Sequence, residues 1–96
     1  MQELTLHYPG GQRVTARAHV GVVGSGDCEV LVEPHDATDA VVRVRTAVDG
    51  FELIWQRVLG SFFARYPVAG RYEINDQGAT PGVVSLRLRQ AVAGAT

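Results

Sequence analysis

The stretch VDGFELIWQRVLGSFFARYP, Val48 to Pro67, decides the fold. Phe51, Ile54, Trp55, Val58, Leu59, Phe62 and Tyr66 recur at helical spacing, while Glu52, Gln56 and Arg57 fall off that stripe. Asp49 with Glu52 three residues later reads as an acidic capping box, and Pro67 cannot continue the helix beyond Tyr66. So broad an apolar stripe needs a sheet face to cover.

Upstream the period is two. Leu4, Leu6 and Tyr8 share one side of a strand, with Thr5 and His7 on the other, until Pro9-Gly10-Gly11 breaks it. Alternation resumes at Val14, Ala16, Ala18, Val20 and Val22, which predicts a longer second strand paired with the first as a hairpin. Cys28, Val30 and Val32 line one side of a third strand ending at Pro34, and Pro34 to Asp39 reads as a polar loop. Val42, Val44 and Thr46 line a fourth strand, with Arg43 and Arg45 opposite. Downstream, Arg71 to Asn75 suits a last short strand, and Thr80-Pro81 opens a helix to about Ala93. Short turns between the early strands imply mostly antiparallel pairing. The expectation is one α+β domain over residues 1–96: about four to five strands, in the order ββββαβα, covered by two helices.

Composition removes several function classes. Nine basic residues against ten acidic ones give a formal charge of -1, without the basic field that nucleic-acid binding needs. All nine are arginine, so no lysine amine exists for Schiff-base chemistry. One cysteine cannot form an internal disulfide, and no apolar run approaches the roughly 20 residues of a membrane span. With no signal-peptide pattern at Met1, the expected compartment is the cytoplasm.

Candidate sites are few. His7, His19 and His35 stand 12 and 16 residues apart, which matches no short metal-ligand spacing and suggests surface or hairpin histidines. Ser, His and Asp are present without a Gly-x-Ser-x-Gly elbow. Cys28 shares its side with Val30 and Val32, which reads as a small buried hydrophobe rather than a reactive thiol. In Val22-Val23-Gly24-Ser25-Gly26-Asp27, two glycines flank one hydroxyl, removing neighbouring side chains and permitting positive φ, so that Ser25 can project with unusual access. On local spacing alone the same residues are an ordinary hairpin turn. The loop from Asn75 to Gly82 feeds the start of the last helix, a place that suits an anion or a partner's carboxylate, or simply the cap made by Thr80 and Pro81.

Three blocks taken together resemble a known family. Val20-Gly21-Val22-Val23-Gly24-Ser25-Gly26-Asp27-Cys28-Glu29-Val30-Leu31 resembles the attachment segment of the acyl-carrier (delta) subunit of malonate decarboxylase. Val48-Asp49-Gly50-Phe51 with Ile54-Trp55 resembles its first helix, and Ile74-Asn75-Asp76-Gln77-Gly78-Ala79-Thr80-Pro81-Gly82-Val83-Val84 its C-terminal block. The resemblance runs in one register from about Leu4 to Ala91 and implies a carrier, with no catalytic residue of its own. It implies that Ser25, in an attachment loop with Gly24, Gly26 and Asp27, carries 2'-(5''-phosphoribosyl)-3'-dephospho-CoA through a phosphodiester. The arm's thiol would hold acetyl and malonyl thioesters, and a thioester carbonyl can accept the carbanion charge that decarboxylation leaves behind. The implied partners are an acyl-carrier transferase subunit, decarboxylase subunits, a malonyl transferase and the nucleotidyltransferase that attaches the group. The related citrate lyase gamma subunit bears the same type of group and is the nearest alternative. From another class, a small α+β assembly subunit whose glycine loop is only a turn remains open.

Overall fold

The computed structural model describes all residues from Met1 to Thr96. In chain order the elements are β1 (Gln2–Pro9), β2 (Gln12–Arg13), β3 (Ala18–Gly21), β4 (Cys28–Glu33), β5 (Asp39–Thr46), α1 (Glu52–Arg65), β6 (Val68–Asp76) and α2 (Pro81–Ala95). The main sheet runs β1-β5-β6-β4-β3, and β2 pairs with the start of β6. Three of its ladders, β1 with β5, β6 with β4 and β4 with β3, are antiparallel. β5 and β6 are parallel, which requires a crossover, and α1 is that crossover.

The α+β class and the two covering helices agree with the sequence expectation, but the first hairpin does not. β1 pairs residue by residue with β5, Leu4 opposite Val44 and Leu6 opposite Val42. The following segment is not one strand. After Pro9 the chain crosses the end of the sheet, where the Gly11 and Gln12 amides donate to the Pro67 carbonyl at 2.6 and 3.2 Å and the Val14 amide to the Ala69 carbonyl at 2.9 Å. Thr15 and Ala16 then bond to the carbonyl of Ala95, at the end of α2, before β3 joins β4 at the far edge. Of the side expected to face inward, Val14 is buried but Ala16 and Val22 are exposed, and a period of two in sequence does not name a strand's partner.

The last strand is longer than expected and central. β6 begins at Val68 rather than Arg71, and its pattern of burial reflects neighbours on both sides. One face of the sheet is covered, with α1 against β1 and α2 against β4 and β3. Val30, Val42, Val44, Leu59, Tyr72, Ile74 and Leu88 are fully buried between the layers, each such side chain contributing about 1.5 to 3 kcal/mol. Tyr72 hides its ring but donates its hydroxyl to the Val68 carbonyl at 2.8 Å, which satisfies the one polar atom it buries. The other face is open and carries paired charges such as Arg43 with Glu3 at 2.8 Å and Arg71 with Glu33 at 3.2 Å.

Two local expectations for α1 also change. Its N-cap is Phe51 and no side chain caps it; the Asp49 and Glu52 box does not form, because the helix starts two residues later than expected, so that Glu52 is its first residue and not its third. Phe51 and Ile54, which share the apolar stripe, are exposed, whereas Trp55, Leu59, Phe62 and Phe63 are buried. At α2 the expectation holds: the Thr80 hydroxyl accepts from the Val83 amide at 3.3 Å and Pro81 follows. No helix is long and apolar enough to cross a membrane.

Candidate functional site

Ser25 sits in the connection between β3 and β4, exposed to solvent. The Asp27 amide donates to the Gly24 carbonyl at 2.9 Å, closing a four-residue turn with Ser25 and Gly26 at its centre. Gly26 has φ +77 and Ser25 does not take positive φ, so the turn is type II, which needs glycine at the third position. The Gly26 amide then donates to the Gln77 carbonyl at 2.8 Å, and the Gln77 amide to the Asp27 carbonyl at 3.0 Å. Two residues thus face one, a bulge whose first member is a left-handed glycine. Turn and bulge together fix the backbone on both sides of Ser25 while its side chain stays in water.

The glycines divide unequally. Gly26 is required by its backbone angle, and a Cβ built there would meet nothing within 4 Å, so the space beside Ser25 is open. Gly24 has no such angle and would meet only Val22, at 3.4 Å. The glycine that sequence reasoning passed over is Gly21, with φ +77, where a Cβ would collide with the Cys28 carbonyl and lie 3.1 Å from Arg87 Nε.

Arg87 is the other missed residue. From α2 it donates through Nε to Asp27 Oδ1 at 3.0 Å and through a terminal nitrogen to Asp27 Oδ2 at 2.7 Å, while the Cys28 amide donates to Oδ1 at 2.7 Å. The Asp27 side chain is 19% exposed and that of Arg87 27% exposed, so this fork-to-fork pair is partly shielded from water. The guanidinium first, and the Cys28 amide second, hold the Asp27 carboxyl below its usual range, and Asp27 in turn raises Arg87. Both oxygens of Asp27 are therefore engaged, and the carboxylate next to Ser25 holds the loop rather than acting as a base.

The neighbouring loop is organised by Asp76, only 4% exposed. Its Oδ2 accepts from Thr46 Oγ1 at 2.8 Å and the Gly78 amide at 3.1 Å, and Oδ1 accepts from the Ala79 amide at 2.9 Å. Because Gln77 is bonded to both Gly26 and Asp27, the Asn75 to Gly82 segment and the Ser25 turn form one unit.

Cys28 is fully buried with Val30 and Val32, as its register implied, and burial pushes its thiol up to about 12, with Asp76 and Asp27 adding to the effect. The histidines are all engaged: His19 lies 2.8 Å from Glu29, His7 lies 3.2 Å from Asp39, and His35, largely buried rather than on the surface, reaches the Asp39 carbonyl at 2.6 Å. No group of three or more His, Cys, Asp or Glu side chains is arranged to hold a metal ion.

Comparisons with known proteins place the chain in a family. The sequence profile of the malonate decarboxylase delta subunit (MdcD) matches residues 15–95. The malonate decarboxylase acyl carrier protein of Burkholderia cepacia is 50% identical over 96 residues, 97% of this chain and 89% of that protein. The protein of the same name from Acinetobacter calcoaceticus is 54% identical over 74 residues, 75% of this chain and 72% of that one. In the crystal structure of a Pseudomonas malonate decarboxylase hetero-tetramer in complex with malonate, one chain superposes with a TM-score of 0.93 at 42% identity, covering 100% of both chains. The chain therefore belongs to the malonate decarboxylase delta subunit family of acyl carrier proteins.

Proposed function

We propose that this chain is the acyl carrier subunit of a malonate decarboxylase, and that Ser25 is where its prosthetic group, 2'-(5''-phosphoribosyl)-3'-dephospho-CoA, is joined through a phosphodiester. The observation that carries this reading is the presentation of Ser25: an exposed hydroxyl on a backbone fixed by a type II turn, a bulge and the Asp27–Arg87 pair. The open space beside Gly26 fits a bulky substituent. When attached, the group supplies a long arm ending in a thiol that carries acyl groups as thioesters between separate active sites. The chain's own part is to hold one hydroxyl still and in reach.

Asp27 is a poor base for Ser25, since both its oxygens accept hydrogen bonds and Arg87 lowers its affinity for a proton. Deprotonation of the hydroxyl therefore falls to the attaching nucleotidyltransferase and any metal it holds. Cys28 is the only thiol in the chain, and burial makes it unfit to carry an acyl group at neutral pH. The module works as a non-catalytic unit in the cytoplasm, visiting the acyl-carrier transferase subunit, the decarboxylase subunits and a malonyl transferase. Membership of the delta subunit family favours this over a citrate lyase gamma subunit.

Labelled malonate supplied to the assembled complex tests the carrier role. Label should appear on this chain, be released by hydroxylamine as a thioester is, persist in Cys28→Ala and vanish in Ser25→Ala. Label lost in a folded Cys28→Ala variant with its arm intact would move the acyl group to that thiol.

A further inference from the structure

The end of the molecule that bears Ser25 also bears an apolar cleft of about 280 Å³ between the first turns of α1 and α2. Phe51, Ile54, Trp55 and Val84 are among its walls, and Thr46 and Asp76 line it from below. Phe51 is 45% and Ile54 41% exposed on one wall, although both belong to the helix's apolar stripe. Asp76 accepts three hydrogen bonds, whereas a carboxylate has about four acceptor positions, so one position on Oδ1 is left. Gly78, which borders the cleft, follows Gln77, and Gln77 is bonded to Gly26. Backbone spacings then put the Ser25 Cα within about 13 Å of the Gly78 Cα.

We propose that this cleft seats the adenine of the arm attached at Ser25. The inference rests on that attachment. A single phosphoribosyl unit separates the seryl oxygen from the adenosine, so adenine is the first large planar group along the arm. A purine is flat and can stack on the Phe51 ring beside Trp55, and its exocyclic amine is a donor that suits the spare position on Asp76. The volume lies just below the roughly 300 to 1,000 Å³ of whole-ligand sites, which matches a nucleoside and not the entire arm. Seating the adenosine would fix the root of the arm while the diphosphate and pantetheine beyond it swing.

Trp55 is the only tryptophan in the chain and lines the cleft, so its emission reports occupancy. Apo protein is compared with holo protein whose complete modification at Ser25 has first been verified by intact mass and peptide mapping. Failure of attachment is thereby recognised before any spectrum is read. The holo form should show a partial loss of Trp55 emission and a shift of its maximum. Nucleotide pyrophosphatase, which hydrolyses the arm's diphosphate, releases phosphopantetheine and leaves the adenosine 5'-phosphate attached to Ser25 through the phosphoribosyl unit, should not restore the emission. In Phe51→Ala, and independently in Ile54→Ser, holo and apo emission should coincide. Identical emission of apo and fully modified wild-type protein overturns the proposal. Recovery on pyrophosphatase treatment overturns it in favour of the pantetheine end, and a loss seen only after the other subunits are added overturns it in favour of a protein partner.

Discussion

The two ends of α1 use the same kinds of residue for opposite purposes. At its C-terminal end Phe63 stacks on Tyr8 with ring centres 5.2 Å apart and meets Phe62 and Tyr72 edge-on at 5.0 Å. At its N-terminal end Phe51 and Ile54 continue the same stripe into solvent, beside a loop held by hydrogen bonds and one ion pair. An apolar helical stripe is therefore not evidence of core along its whole length. Packing holds one pole, and backbone angles with directed polar contacts hold the pole that presents Ser25.

The largest effect should come from the packed pole. Phe63→Ala removes a side chain only 2% exposed and should cost about 3 to 5 kcal/mol, read as a lower urea midpoint. The folded fraction should still be modified at Ser25 at the wild-type rate. A large drop in modification of that folded fraction would mean that the two poles are not separable.

Gly26→Val should cost about 1 to 3 kcal/mol from backbone strain at positive φ, and it should slow modification more than it lowers stability. Gly24→Ala should do neither, since that position has neither the angle nor a crowded Cβ. Normal modification kinetics in Gly26→Val would show the glycine to be incidental.

The ion pair gives a smaller effect with a defined sign. Asp27 has its folded pKa depressed below 3.8, chiefly by the Arg87 guanidinium, so its contribution is complete above about that pH. It is lost as the pH falls through the lower folded value. The Gly26 amide resonance should follow this acid transition in the wild type, and Arg87→Met should move the transition up towards an ordinary aspartate. An acid transition unchanged in Arg87→Met would remove the pair from the account. Modification of Arg87→Met should be slower, by up to about 100-fold if the hydroxyl shifts by an ångström.

Cys28→Ala should have the smallest effect, about 1 kcal/mol, and leave acyl loading intact. In the native protein the thiol should resist alkylation at pH 8 and react on unfolding. Rapid native labelling would contradict its burial.

These contrasts also mark what the sequence reveals. Alternation identified the buried sides of β1, β4 and β5, since burial every second residue is a property of one strand alone. It could not show that β1 pairs with β5, because pairing depends on where a crossover returns the chain. The Thr80-Pro81 cap was legible because all its parts are local, whereas the Asp49 and Glu52 box failed because the helix starts two residues later, with Phe51 as its N-cap. The turn that exposes Ser25, the positive φ open to Gly26 and the burial of Cys28 could be read from neighbours in sequence, whereas Ser25 as an attachment point came only from the resemblance. Arg87 lies 60 residues from Asp27, and its only local trace is a charge within one turn of buried Val84 and next to buried Leu88. Gly21 was hidden for a similar reason, since its positive φ and the Cys28 carbonyl that a Cβ would strike appear only once β3 lies against β4.

The central claim, that Ser25 is the attachment point, is tested most directly by intact mass. Expressed alone, the chain should have the mass of its sequence. Coexpressed with the enzymes that make and attach the prosthetic group, it should gain the mass of one phosphoribosyl-dephospho-CoA, and Ser25→Ala should gain nothing. A plain phosphopantetheine increment, or an adduct that survives in Ser25→Ala, would contradict the account.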